Sequence, residues 1–232
     1  MDGVKLLSLD RLNVWYSVGK NVLDNFSLEL GGHEIVGLIG LNGAGKTTFI
    51  KTLSGLISSF QIDAARWQGA AFFFRDRTFK ENRYTVFAED HSFGYFTFRE
   101  YLSYAAASYG VKQPDFSELA RGFHFEQYVD VLLKELSTGN LKKAYLMTAF
   151  ALHPRLLLLD EPVNGLDFQS TEYLYELING YRQYGTILFS SHILESICLT
   201  SDRVLVLEQG RIRNTFTGPE INSETIREVL KE

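Results

Sequence analysis

The chain has 232 residues, 45% of them hydrophobic and 22% charged, enough to bury a substantial core as one large domain. A net charge of −5 without a long basic run argues against a dedicated nucleic-acid binder, and no apolar stretch approaches the length of a membrane span. The single cysteine, Cys198, leaves no internal disulfide and reads as a small core residue; with a Met1–Lys5 start that lacks a signal-peptide pattern, this points to the cytoplasm.

In chain order, residues 4–8 and 12–18 read as two strands joined by a tight turn at Asp10-Arg11. Residues 26–30 continue the β pattern until Gly31-Gly32 breaks it. A buried strand over 34–39 runs into a glycine-rich loop and a helix from about 45 to 56. Residues 72–74 and 84–87 read as strands flanking a polar connection. The spacing predicts a helix over 97–109 with Tyr101, Leu102, Ala105 and Tyr109 inward, and Pro114-Asp115 opens another. A helical pattern over 139–152 ends at His153-Pro154, and Leu156–Leu159 make a fully buried strand. A helix over 168–183, a strand over 185–190, a hairpin of 203–208 and 211–216 around Gln209-Gly210, and an amphipathic helix over 220–231 follow. Strand and helix alternation after residue 34 predicts an α/β fold with a mainly parallel sheet and antiparallel additions; no internal repeat or low-complexity linker interrupts it.

The chemistry concentrates in Gly40-Leu41-Asn42-Gly43-Ala44-Gly45-Lys46-Thr47-Thr48, a G-x-x-x-x-G-K-[ST] phosphate loop between its required strand and helix. Glycines let successive backbone N–H groups turn around a polyphosphate, and the helix start adds its positive dipole end. Lys46 supplies a mobile charge for the β- and γ-phosphates, and Thr47 a hydroxyl for Mg²⁺. Gly40, Asn42, Gly43, Ala44, Gly45, Lys46, Thr47 and Thr48 are therefore the candidate contacts to a nucleoside triphosphate. Asp160, at the end of the 156–160 strand, is placed to hold Mg²⁺, and Glu161 to deprotonate an attacking water.

Five motifs in one order carry a family resemblance: the phosphate loop, Leu136-Ser137-Thr138-Gly139-Asn140, Leu156–Pro162, Asn164-Gly165-Leu166-Asp167 and Ser190-Ser191-His192. Together they resemble the ATP-binding cassette (ABC) ATPases over nearly the whole chain. The resemblance implies that Ser137 and Gly139, in a signature usually Leu-Ser-Gly-Gly-Gln, meet the γ-phosphate of ATP held by an opposite subunit. Thr138 and Asn140 depart from that pattern; Ser137 also reads as an ordinary helix N-cap. The same resemblance makes Asp167 part of a loop crossing the dimer interface, His192 a γ-phosphate contact and Tyr16 the adenine-stacking aromatic. Tyr16 shares an alternating face with Leu12 and Val14, so core packing stays open for it. The family's Mg²⁺- and water-sensing glutamine has no counterpart, and Glu89 stands nearest its place.

The expected architecture is a P-loop NTPase core over 1–232 with an N-terminal antiparallel β part and an inserted helical subdomain, roughly 90–150. The expected function is Mg²⁺-dependent ATP hydrolysis by the ATP-binding subunit of a membrane transporter, acting as a head-to-tail dimer. Its partners would be a second ATP-binding subunit and membrane-spanning permease subunits, with no nucleic acid, at the inner face of the cell membrane. The short single cassette with Asn-Gly-Leu-Asp resembles the bacterial drug, antibiotic and peptide exporter branch; a soluble ABC-type ATPase with a non-membrane partner is the alternative. Aromatic residues crowd positions 72–109, and Phe93, Tyr95, Phe96 and Tyr101 are expected around a groove for a permease helix or in the helical core.

Overall fold

A computed structural model describes residues 5–17 and 19–231. Strands β1 (Lys5–Ser17) and β2 (Lys20–Gly31) pair antiparallel. The turn expected at Asp10-Arg11 is instead a bulge inside β1, where the register shifts between Leu9 and Leu12 and Arg11 takes a φ of 50°. A bulge bends a strand without ending its pairing, so a turn-like dipeptide sits in a continuous strand. Residues 4 and 18, the outer limits expected for these strands, lie outside the described residues.

Strand β3 (Ile35–Ile39) leads through the loop to α1 (Lys46–Leu53), which stops before the expected residue 56 because Gly55 turns left-handed, φ 72°. Strands β4 (Phe60–Gln61), β5 (Ala64–Trp67) and β6 (Ala70–Ala71) complete an antiparallel sheet of order β2-β1-β5-β6, with β4 also on β1. No strand forms at Phe72–Phe74. The Asp76 carboxylate accepts from the Phe73 N–H at 2.7 Å and closes a turn there. Phe74 is buried, Phe72 packs on Phe79 at 4.5 Å between centroids, and Phe73 is left exposed.

Helix α2 (Arg77–Asn82) and strand β7 (Arg83–Val86) follow, then α3 (Phe98–Ser108), started by a capping box between Thr97 and Glu100. Tyr101, Leu102 and Ala105 are buried as their spacing requires, and Tyr109 ends the helix half-buried. Next come α4 (Ser117–Gly122), α5 (Thr138–Leu152), β8 (Leu156–Asp160), α6 (Phe168–Gly180) and β9 (Thr186–Ser191). A short helix the sequence pattern did not announce, α7 (Leu194–Thr200), precedes the hairpin of β10 (Arg203–Glu208) and β11 (Arg211–Thr217), and α8 (Ser223–Lys231) ends the description.

The second sheet has the order β11-β10-β3-β9-β8-β7, parallel throughout except for the β10–β11 hairpin. Its central strands β3, β8 and β9 are buried on both faces, whereas the edge strand β11 is largely exposed. Leu157 and Leu159 join the core beneath α3, α5 and α6, whereas Leu156 and Leu158 join the core under β1, β2 and α1. This two-sided burial explains the run of four leucines: no position on β8 faces water. The ends of β3, β8 and β9 therefore open side by side.

Candidate nucleotide site

The segments that leave those three strand ends line a cavity of about 420 Å³. Asn42, Gly43, Ala44, Gly45, Lys46, Thr47 and Thr48 line one side; Glu161, Asn164 and His192 line the other. Gly45 opens α1 at a φ of 109°, and a Cβ there would lie 2.8 Å from Leu23, so only glycine lets the loop bend under β2. Gly40 stands below the cavity, its carbonyl accepting from Lys46 Nζ at 2.6 Å. Lys46 is buried, which lowers its pKa; the nearby Glu161 and Asp160 charges pull the other way. Its ammonium lies 3.9 Å from Glu161 Oε1.

Glu161 takes a left-handed backbone, φ 48°, just past the end of β8. Its N–H donates to Ser190 Oγ at 2.9 Å, and its Oε2 lies 2.8 Å from His192 Nδ1. A strained backbone held by a neighbouring strand aims this carboxylate at the cavity. Ser190 also donates to Asp160 Oδ1 at 2.7 Å, and Thr47 Oγ1 donates to the same oxygen at 3.2 Å. The other oxygen, Oδ2, is buried and has no hydrogen-bond partner among the described residues. A threonine hydroxyl beside a buried carboxylate with one uncommitted oxygen is the hard-oxygen chemistry that Mg²⁺ takes, with water and phosphate completing its shell. Thr47 and Asp160 fit that ion. Glu89, by contrast, is exposed after β7 and does not line the cavity.

Tyr16 is exposed although Leu12 and Val14 on its alternating face are fully buried, which removes core packing as its role. Its hydroxyl shares a hydrogen bond of 3.3 Å with Thr48 Oγ1, at the mouth of the site. Val22, Asn164 and Ser190 complete the arrangement; Val22 is not singled out by the sequence, and Asn164 and Ser190 enter there only as members of motifs, with no role of their own in the site. Val22 has no chemical signature; it arrives because β2 folds over the loop. The Ser190-Ser191-His192 motif did contain the signal for Ser190, since a hydroxyl two residues before a histidine at a strand end can reach a neighbouring strand.

Ser137, Gly139 and Asp167 do not line this cavity. Ser137 N-caps α5, accepting from Asn140 N–H at 3.3 Å. A Cβ on Gly139 would lie 2.6 Å from the Gly165 carbonyl oxygen, so the signature helix packs its glycine against the Asn164–Asp167 loop. Asp167 caps α6 by accepting from Ser170 N–H at 2.9 Å, and takes Lys143 Nζ at 2.7 Å. The Lys143 ammonium foremost, with the cap, holds this carboxyl well below the usual carboxylate range. Its observed contacts are within the chain rather than toward the nucleotide cavity.

A separate groove of about 330 Å³ runs between the 54–56 segment, β7 and α3, lined by Leu56, Arg83, Tyr84, Phe87, Tyr101 and Tyr109 among others. Tyr101 is buried at its wall and bonds Tyr84 through their hydroxyls at 2.5 Å. Phe93 packs at a tilt on Tyr101 at 5.1 Å between centroids and is 41% exposed, and Tyr95 is 79% exposed, while Phe96 is half-buried. Among the described residues no helix is long and apolar enough to cross a membrane.

Residues 23–164 match the family model described as ABC transporter. The putative ABC transporter ATP-binding protein AlbC of Bacillus subtilis (strain 168) is 34% identical over 223 residues, spanning 92% of each chain. The phosphate import ATP-binding protein PstB of Mycoplasma pneumoniae is 28% identical over 94% of this chain and 73% of its own. A solved structure described as the ATP binding subunit of an ABC transporter is similar at a TM-score of 0.84 and 29% identity, over 97% of this chain and 93% of that one.

Proposed function

The chain belongs to the ABC transporter ATP-binding family, and from that premise we propose that two such subunits sandwich ATP and drive membrane-spanning permease subunits in exporting a drug, antibiotic or peptide. One observation carries the sandwich: the phosphate loop, Glu161 and His192 share a cavity that Ser137 and Gly139 do not reach. A signature helix whose start lies outside its own chain's site can complete only another's, and two copies facing head to tail satisfy both. Export is supported by the Asn-Gly-Leu-Asp loop, which resembles that of the exporter branch; an import protein among the relatives makes direction the finer point to test.

In this reading the loop amides and Lys46 grip the phosphates, and the Tyr16 ring stacks on the adenine. Glu161 accepts the proton of the water that attacks the γ-phosphorus, and His192, 2.8 Å from Glu161, holds that carboxylate and the γ-phosphate in register. Bound through Thr47 and Asp160, Mg²⁺ would supply neutralisation of the β- and γ-phosphate charge. Most of the acceleration comes from positioning and charge in a site already shaped.

The groove beside Tyr101, with the exposed Phe93 ring packed on Tyr101 and exposed Tyr95 two residues further along the chain, supports docking of a permease helix at the cytoplasmic membrane face. Co-purification with membrane-spanning proteins from solubilised membranes of the source cell tests this. Phe93→Glu with Tyr95→Glu should abolish co-purification while leaving ATP binding intact. Turnover stimulated by a soluble partner instead, with no membrane protein bound, would replace the transporter reading by a soluble ATPase. Uptake rather than efflux in reconstituted vesicles would overturn the direction alone.

A further inference from the structure

Helix α5 carries a second buried cation that the mechanism above does not use. Lys142 is 5% exposed, five residues beyond Ser137. Its ammonium donates to the Phe87 carbonyl at 2.8 Å and to the Ala88 carbonyl at 2.7 Å. Those two carbonyls belong to the segment leaving β7, immediately before Glu89 and Asp90. The charges that act on Lys142 come from two sides: Asp160 and Glu161 at the end of β8, and Asp90 and Glu89 on the segment itself. Burying an ammonium is costly, and an apolar residue of similar length would fill the space more cheaply. What lysine adds is a directional link between the signature helix and the strand-end segment beside the hydrolytic carboxylates.

We propose that Lys142 is a positioning residue for hydrolysis: it ties the 87–90 segment to the signature helix, so that docking of that helix on a second copy's nucleotide is transmitted to the segment beside this chain's own Asp160 and Glu161. The inference rests on the sandwich reading. Lys142 does not line the nucleotide cavity, so it acts through the segment and not on the phosphates. Arg83, at the opposite end of β7, is another buried cation held by carbonyls, its guanidinium donating to the Phe74 carbonyl at 3.2 Å and to the Ser54 carbonyl. Only Lys142 of these two stands on the signature helix.

The test uses the full chain with MgATP. Lys142→Met should lower kcat about ten-fold or more while KM for ATP stays within about two-fold, the pattern of a group that positions the reacting state without contributing to ATP binding. Lys142→Arg, which keeps two or more donors, should restore kcat to within about three-fold. Hydrogen exchange in a Glu161→Gln background, where ATP is held but not consumed, separates the possible failures. With ATP, the amides of α5's first turn should gain protection in both the parent and Lys142→Met chains. Amides 88–92 should gain it in the parent only, exchanging about ten-fold faster in Lys142→Met. If α5 gains nothing in the parent, the sandwich reading fails. If α5 responds and residues 88–92 respond equally without Lys142, the link alone is refuted. A kcat loss matched by a KM rise and a lower melting temperature would reduce Lys142 to a packing role; should Lys142→Met not fold, Lys142→Gln carries the same comparison.

Discussion

Gly139→Ala separates two reasons for a glycine in the signature. One is approach to a partner's phosphate; the other is internal, since the added Cβ would lie 2.6 Å from the Gly165 carbonyl oxygen. Carbon and carbonyl oxygen normally approach to about 3.3 Å, so α5 or the Asn164–Asp167 loop must yield by about 0.7 Å. Neither gives way freely, because Lys143 and Asp167 clamp the two together at 2.7 Å. Overpacking of this kind costs about 1–3 kcal/mol, offset by up to about 1 kcal/mol of better helix propensity. The expected net is a loss of up to about 3 kcal/mol, a fall of several degrees in melting temperature for a chain this long. The shift also moves Asn164, which lines the nucleotide cavity, and misplacement on this scale should lower turnover about ten-fold or more. Chemical denaturation and steady-state turnover measure the two effects. An alanine chain as stable as the parent and fully active would refute the internal contact. A chain of parental stability that binds ATP yet no longer pairs would leave phosphate approach as the sole reason.

Lys46→Ala should weaken binding of a labelled ATP analogue by at least about ten-fold, because a charge-assisted contact to the phosphates is lost; equilibrium titration reads it. Glu161→Gln should keep nucleotide binding, lose roughly 10²-fold or more in turnover and accumulate an ATP-bound dimer on size-exclusion chromatography, whereas near-normal turnover would move the proton acceptor elsewhere. Asp167 is depressed chiefly by Lys143, so its contribution to stability is present above the usual carboxylate pKa of about 4 and fades as pH falls below that. The denaturation midpoint of the parent should therefore exceed that of Asp167→Asn at pH 7 and converge toward it in acid. A gap independent of pH would show that the Lys143–Asp167 pair contributes nothing. Thr138 is exposed at the start of α5, and Thr138→Gly should leave turnover equal or higher; a large loss would reveal a threonine contact across the dimer.

The phosphate loop, Asp160 and Glu161 were legible because their chemistry demands particular residues at particular places: glycine where only glycine can bend, a carboxylate where a buried strand ends. The fully buried strand at Leu156–Leu159 was equally plain from its four leucines. What stayed hidden is geometry that residue type does not encode. Asp10-Arg11 looks like a turn, and whether it turns the chain or bulges depends on β2 pairing along both sides of it. Helix α7 has seven residues and no side-chain cap, too little for a periodic signal. Phe72–Phe74 have strand-like composition, but the ring packing on Phe79 and the Asp76 turn decide otherwise. Lys142 and Lys143 carry no sequence signal of burial, and only the segments folded over them turn both into buried donors.

The alternation of β8, one leucine to each side, has a consequence for how the molecule comes apart. Two hydrophobic interiors share a single wall, so loosening either one strips half the partners from the strand that supports the other. Unfolding should be one cooperative transition, and the helices between β7 and β8 should not behave as a detachable module. A chain cut within α5 would keep every glycine of the phosphate loop and still have no folded loop to present, because β3 would have lost its neighbour β9 and, beyond it, β8.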